Sequence, residues 1–326
     1  MTAVLVRTRI AGLLAILVVL LMLAGLLIGP AGLGLPTAGE AARLIVWEIR
    51  LPRAILGALV GAALGLAGAV LQGYLRNPLA EPSVIGVSSG AALGAVIALH
   101  TGLAAAFPLA LPVGGLIGAA ITTLTVLLLA GERGSSVTLI LAGVAVAAVA
   151  TALTTLALNL SSNPFASVEI VYWLMGSLSD RSLTHVWIAA PFMLAGIVVL
   201  LRIGRALDAL TLGEDAAANL GIDLRLLRYE IVAGIALSVG TASAIAGTIG
   251  FVGLVVPHLL RPLVGAEPAR LLPASMLGGA AMVLAADLVL RLVAPYSDLK
   301  LGVLTSLVGA PFFVWLVLKS RRELGP

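Results

Sequence analysis

Ten apolar stretches of roughly bilayer length follow one another along this chain, and they leave few folds open. A helix crossing hydrocarbon takes about 20 apolar residues. Hydrocarbon offers no water to a stray amide, so every stretch must pair its backbone internally. The stretches are residues 10–29, 53–73, 83–101, 108–130, 137–158, 186–203, 229–247, 249–264, 272–293 and 302–318. Charged residues are only 10% of the 326, where a soluble globule carries about 25%. The sequence predicts an all-α integral membrane protein, a single polytopic domain over 1–326 with halves at about 1–158 and 186–318. The first stretch follows Arg7 and Arg9 in the manner of a secretion signal. A signal core is usually about 7–15 residues, so this longer run, with many spans behind it, is read as the first transmembrane helix. The weakest division is Thr248-Ile249-Gly250, where two spans must turn within very few residues.

Basic residues orient such a chain, because they gather on the cytoplasmic side. With the N-terminus inside, 13 of the 19 fall on the inner side: Arg7, Arg9, Arg76, Arg133, Arg202, Arg205, Arg225, Arg228, Arg261, Arg270, Lys319, Arg321 and Arg322. The other 6, Arg43, Arg50, Arg53, Arg181, Arg291 and Lys300, fall outside. Both termini are thus expected in the cytoplasm, and the outer arginines become candidates for an interaction. The net charge of +4 needs no nucleic acid to explain it, since no basic run with interleaved aromatics occurs. The absence of cysteine excludes disulfides and cysteine metal sites. His100, His185 and His258 lie in separate segments, and no GxxxxGK[ST] loop is present for ATP.

Several segments carry more than hydropathy. Arg50-Leu51-Pro52-Arg53 opens a glycine-rich span, and Asn77-Pro78-Leu79-Ala80-Glu81-Pro82 follows its other end. Basic residues at one mouth and a rigid polar turn at the other suit contacts on both sides of a membrane. Gly57, Gly61 and Gly65, four apart, put small residues on one face for close helix packing. Gly61 to Gly68 resembles Gly240 to Gly247, on helices expected to run in opposite directions; an inverted repeat is a common transporter plan, although glycine and alanine are so frequent here that the match weighs little. His258 is read as capping a helix end near the inner surface, with a ligand or proton carrier as the sharper alternative. Asp287 and Arg291 are placed for an i,i+4 ion pair, with the arginine head reaching the outer surface. In the inner loop at about 204–228, Leu212, Gly213, Glu214 and Asp215 lead to Gly221. The acids suit a helix's first turn and the glycine its C-terminal cap, which predicts a short cytoplasmic helix able to seat in a partner.

Taken in order, these blocks resemble the FecCD family of permeases, the membrane subunits of type II ABC importers for ferric siderophores, haem and vitamin B12. The resemblance covers Leu51 to Leu318. It rests on Arg50 to Arg53, Asn77 to Pro82, Gly86-Val87-Ser88-Ser89-Gly90-Ala91, Leu212-Gly213-Glu214, Phe251 to His258, Ala286-Asp287-Leu288-Val289-Leu290-Arg291 and Gly309-Ala310-Pro311-Phe312-Phe313. One departure is Asp298-Leu299-Lys300-Leu301-Gly302, where many members carry Glu-(Leu or Ile)-Pro-Val-Gly. The resemblance implies a homodimer of ten-helix subunits in the bacterial cytoplasmic (inner) membrane. Two ATP-binding cassette subunits would sit below it and one periplasmic or lipid-anchored binding protein above. Arg50, Arg53 and Arg291 would then meet acidic residues of the binding protein, residues 212–221 would be the coupling helix, and Asn77, Leu79, Ser135 and Ser136 would form the cytoplasmic gate. The chain itself would bind no cofactor and catalyse nothing, with ATP and Mg held by the partner ATPase. Lipid is the only other partner expected.

The implied mechanism is alternating access, driven by the ATPase. An ion-coupled secondary transporter would instead need a midplane carboxylate, for which Asp287 is the fair candidate, with Arg291 beside it to neutralise it. A membrane scaffold would not need two separately charged faces. An iron chelate, ferric siderophore or haem, leads on family frequency, with vitamin B12 as the alternative.

Overall fold

The computed structural model describes residues 2–29, 32–33, 40–107, 109–131, 136–161, 164–294 and 299–323. Helix α1 (Thr2–Leu27) leads into a small antiparallel pair, β1 (Ile28–Gly29) and β2 (Gly32–Leu33). Helix α2 (Glu40–Leu44) widens into a π-helical segment over Ile45–Arg50 and continues as α3 (Leu51–Tyr74). The widening lies directly ahead of Pro52, whose ring lacks an N–H and crowds the preceding turn. The second span is therefore one rod from Ala42 to Tyr74, longer than the sequence predicts.

A 3₁₀ turn at Pro82–Ile85 precedes α4 (Val87–His100), followed by α5 (Leu103–Ala106), α6 (Ala110–Ala130) and α7 (Ser136–Asn159). The polar segment from Asn159 holds an unexpected short helix, α8 (Pro164–Leu174). Helix α9 (Leu183–Arg202) starts where Ser182 and His185 form a capping box. Then come α10 (Gly204–Leu210), α11 (Glu214–Asn219) and α12 (Leu224–Ile235), which runs through π-helical Ala236–Gly240 into α13 (Thr241–Ala246). Helices α14 (Val252–Val264), α15 (Pro268–Val293) and α16 (Leu301–Glu323) complete the chain.

Among the described residues, seven helices are long and apolar enough to cross a membrane, and Val87–His100, Val252–Val264 and Leu301–Leu316 are shorter apolar helices. Two predicted spans need correction. Residues 83–101 and 249–264 contain helices of only 14 and 13 residues, about 20 Å at 1.5 Å per residue, against a core of about 30 Å. Each is cut short at its N-terminus by a left-handed residue, Gly86 (φ 79°) and Phe251 (φ 66°).

Helix α3 is the hub, buried along most of its length. The glycine face does what its spacing predicts. A Cβ added to Gly61 would collide with the backbone of Gly279, one on Gly65 with Ser275, and one on Gly68 with Gly253. Small residues thus let α3 touch α15 and α14 backbone to backbone. A second such contact joins α4 to α6 through Gly90, Gly94, Gly114 and Gly118. Helix α1 lies outside this core and shows Leu13, Ile16, Leu20 and Leu23 at its surface.

Candidate functional site

At the Arg50 end of α3, two of the arginines that the sequence singles out, Arg53 and Arg291, converge on one carboxylate. Arg53 grips Asp287 of α15 with Nε 2.8 Å and Nη2 2.6 Å from Oδ1. Arg291 Nη2, one turn along α15, donates to Asp287 Oδ2 at 2.5 Å. The i,i+4 pair is present, but Arg291 does not reach outward. It is 8% exposed, and its Nη1 donates to the Gly25 carbonyl at 2.8 Å. Arg50 likewise donates to the Leu26 carbonyl at 2.7 Å, in space left by Gly29, where a Cβ would overlap its guanidinium. Cations on the orphan carbonyls of a helix C-terminus are favourable, so these two arginines pin the end of α1 to α3 and α15. Of the three, Arg53 keeps the most open surface, 20% of its side chain. Arg181 donates to the Ile245 carbonyl at 2.7 Å and fixes the end of α13. Burial pushes its guanidinium below the ordinary arginine value, and the adjacent Asp180 carboxylate works against that shift.

At the Tyr74 end, α3 closes with a double-bonded cap. The Arg76 N–H donates to the Gly73 carbonyl at 3.3 Å and the Asn77 N–H to the Gln72 carbonyl at 3.2 Å. This is the Schellman arrangement, with Arg76 (φ 49°) where glycine is usual. The turn then locks on itself: Asn77 Oδ1 accepts the Leu79 N–H at 2.9 Å. Ser136 opens α7 and is half-buried; Ser135 lies outside the described residues.

Pro257 sits inside α14 and has no N–H, so the Gly253 carbonyl lacks its usual i+4 donor. Gln72 of α3 supplies one, Nε2 to O at 3.2 Å, while Arg261 Nη2 holds the Gln72 Oε1 at 2.9 Å. The sequence marks Gln72 only as the end of the block Gly68 to Gln72 shared with the family and gives it no role; a proline in an apolar helix is the signal to look for such a donor. His258 corrects the helix-end reading. It lies mid-helix with its ring edge-on to Phe312 at 5.7 Å, and its Nδ1 has no partner among the described residues.

The segment predicted as a coupling helix is helical over Glu214–Asn219, between left-handed Gly213 (φ 109°) and Gly221 (φ 85°). The Gly221 N–H donates to Ala218 at 2.9 Å and the Ile222 N–H to Ala217 at 3.1 Å, a second Schellman cap at the predicted glycine. Ala217 is fully buried beneath the helix, while Leu212 and Leu220 stand exposed beside it. Asp208 of α10 caps the start of α15 through the Ala269 N–H at 2.9 Å, and Asp223 caps α12 through the Arg225 and Leu226 N–H groups at 2.9 and 3.0 Å. The segment is thus tied to two long helices.

An open cavity of about 400 Å³ is lined by Met175, Thr248, Gly250, Gly302, Ser306 and Leu307. Its wall is a tight backbone crossing. Ser177 N–H donates to the Ala246 carbonyl at 2.7 Å, Gly302 N–H to Gly176 at 3.3 Å, and a Cβ on Gly176 or Gly302 would strike the Thr248 carbonyl. The lining residues offer two hydroxyls and no charge. Among the described residues, no group of three or more His, Cys, Asp or Glu could hold a metal.

Residues 13–319 match the FecCD transport family. The vitamin B12 import system permease protein BtuC of Vibrio cholerae is 39% identical over 85% of this chain and 83% of its own length. That of Escherichia coli O9:H4 is 42% identical over 86% and 85%. The hemin transport system permease protein HmuU of Yersinia pestis is 36% identical over 96% of each chain. A solved structure described as an inward-facing conformation of a metal-chelate type ABC transporter superposes with a TM-score of 0.87 at 35% identity, covering 96% of this chain and 99% of that one. The chain belongs to the FecCD transport family: it is a multi-pass, non-catalytic permease subunit of an ABC importer.

Proposed function

We propose that this FecCD permease carries a corrinoid of the vitamin B12 type. The observation behind this is the identity of 39–42% to vitamin B12 import permeases over more than four-fifths of their length. It displaces the ferric siderophore favoured from sequence, which rested on family frequency alone. Haem is the second reading, favoured by the hemin permease aligned over 96% of both chains. The uncharged, hydroxyl-bearing cavity suits a bulky chelate that a path must also release.

In this reading two copies of the chain form the path between them, with ten spans each in two inverted halves. The pairing of α3 with α15 and of α13 with α6 supports such symmetry: Gly61 meets Gly279, and Gly115 meets Ala244. Both termini lie in the cytoplasm, so the Arg50 end faces outward. A binding protein docks there, with Arg53 the accessible charge and Arg50 and Arg291 holding the mouth in shape. Two ATPase subunits seat around α11, with Leu212, Gly213, Glu214, Asp215 and Gly221 in the contact. The turn at Asn77 and Leu79, with Ser135 and Ser136, closes the cytoplasmic end. ATP binding by the partner moves α11, and the ends of the path open in turn; ATP and Mg stay on that partner.

The test is uptake into proteoliposomes by the permease with its cognate ATPase and binding protein. ATP-dependent accumulation of cobalamin is expected, well above haem and ferric siderophore. Haem uptake without cobalamin uptake would replace the first reading with the second.

A further inference from the structure

Glu81 reads from sequence as part of a cytoplasmic turn, but the packing brings it back alongside α3, where it is half-buried between buried Ala80 and Pro82. A Cβ on Gly253 would lie 2.8 Å from the Pro82 ring and 2.9 Å from the Leu64 carbonyl. Leu64 is ten residues short of Tyr74, where α3 ends, so at 1.5 Å per residue Pro82 sits about 15 Å inside the helix end. The chain from Leu75 to Glu81 therefore turns at the end of α3 and climbs back inward.

There Glu81 Oε1 accepts the Phe251 N–H at 2.7 Å. Phe251 caps the N-terminus of α14, where backbone donors lack helical partners and the dipole favours an anion. Its left-handed φ of 66° is an outlier for a bulky residue, and Gly309 makes room for its ring, since a Cβ there would overlap it. A carboxyl group drawn into packed surroundings is costly unless it is hydrogen-bonded, and here the Phe251 N–H supplies that bond. The tie joins two segments of opposite origin. Glu81 ends the turn that begins at Asn77, and Phe251 ends the stretch through Thr248 and Gly250 that walls the cavity.

We propose that Glu81 is a positioning residue that locks the turn at Asn77–Leu79 to the N-terminus of α14, so that the cytoplasmic turn and the cavity wall move as one body during transport. The inference rests on the permease reading above. What it adds is the carboxylate as the joint through which closure at one end is felt at the other.

The experiment uses the whole complex in proteoliposomes and reads chelate taken up per ATP hydrolysed, with whichever chelate the parent complex carries. Parent failure to transport any chelate would count against the permease reading, whereas the Glu81 variants judge only the joint. Glu81→Ala should keep stimulated ATPase activity within about twofold, while uptake per ATP falls about tenfold, the scale of one charge-assisted hydrogen bond. Glu81→Gln retains an acceptor oxygen and should recover most of the ratio, and Glu81→Asp, one methylene short, should fall between. An unchanged ratio in Glu81→Ala, a proportional loss of both activities, or a glutamine variant no better than alanine would overturn the proposal. If the alanine variant fails to assemble, Glu81→Asp decides: a ratio equal to the parent's rejects the joint.

Discussion

The two ends of the bundle use charge in opposite ways. At the Arg50 end, Arg50, Arg291 and Asp287 are nearly sealed from solvent and bridge α1, α3 and α15. At the other end, Glu214 keeps half its side chain open, 4.0 Å from an equally open Arg76. Its helix rests on the small apolar contact of Ala217. The charges at the Arg50 end are part of what holds the helices in register, and those at the other end decorate a ready-made knob. A charged residue at a membrane mouth is therefore first a question of burial and only then of partners.

The sharpest way to break this contrast is Asp287→Ala. It would leave Arg53 and Arg291 without their shared carboxylate, and removing one partner of a buried ion group typically costs about 3–5 kcal/mol. Thermal unfolding of the purified permease should drop steeply, and unchanged melting would mean that the buried cluster is not structural. For the same reason, glutamate at Arg50, Arg53 and Arg291 together should damage folding before it reports on docking. The next effect is expected at the opposite end. Leu212→Asp with Glu214→Lys, both at exposed positions, should leave melting within about 1 kcal/mol of the parent, as surface changes usually do, while ATP hydrolysis no longer drives uptake. A matching loss of stability would erase the distinction between the two ends. The smallest effect sharpens it: Arg53→Gln should slow docking of the binding protein a few-fold at low salt and less at high salt, since partly exposed pairs are worth about 0–1 kcal/mol and are screened. Docking kinetics independent of both residue and salt would leave Arg53 a structural residue only.

Much of this was readable in the chain. The glycine faces, the caps of α11 and the Asp287–Arg291 pair follow from spacing, which local geometry obeys. Arg53 and Asp287 are 234 residues apart, and no periodicity announces their meeting. Hydropathy also extended α4 and α14 too far, because it weighs side chains and is blind to a left-handed Phe251. The sequence places Glu81 in a polar turn but not against Phe251, because proline-rich turns are ordinarily surface features, and only the contacts of Pro82 with Gly253 reveal the return of the chain into the bundle.

The glycines that bound α11 have a mechanical corollary. Gly213 (φ 109°) and Gly221 (φ 85°) are held by backbone hydrogen bonds on both sides of the helix, while neither has any atom within 4 Å of where a side chain would begin. Each is a fixed corner standing in open space. A short rod held between two fixed corners cannot tilt alone, so a push on α11 is handed to α10 and α12 with it.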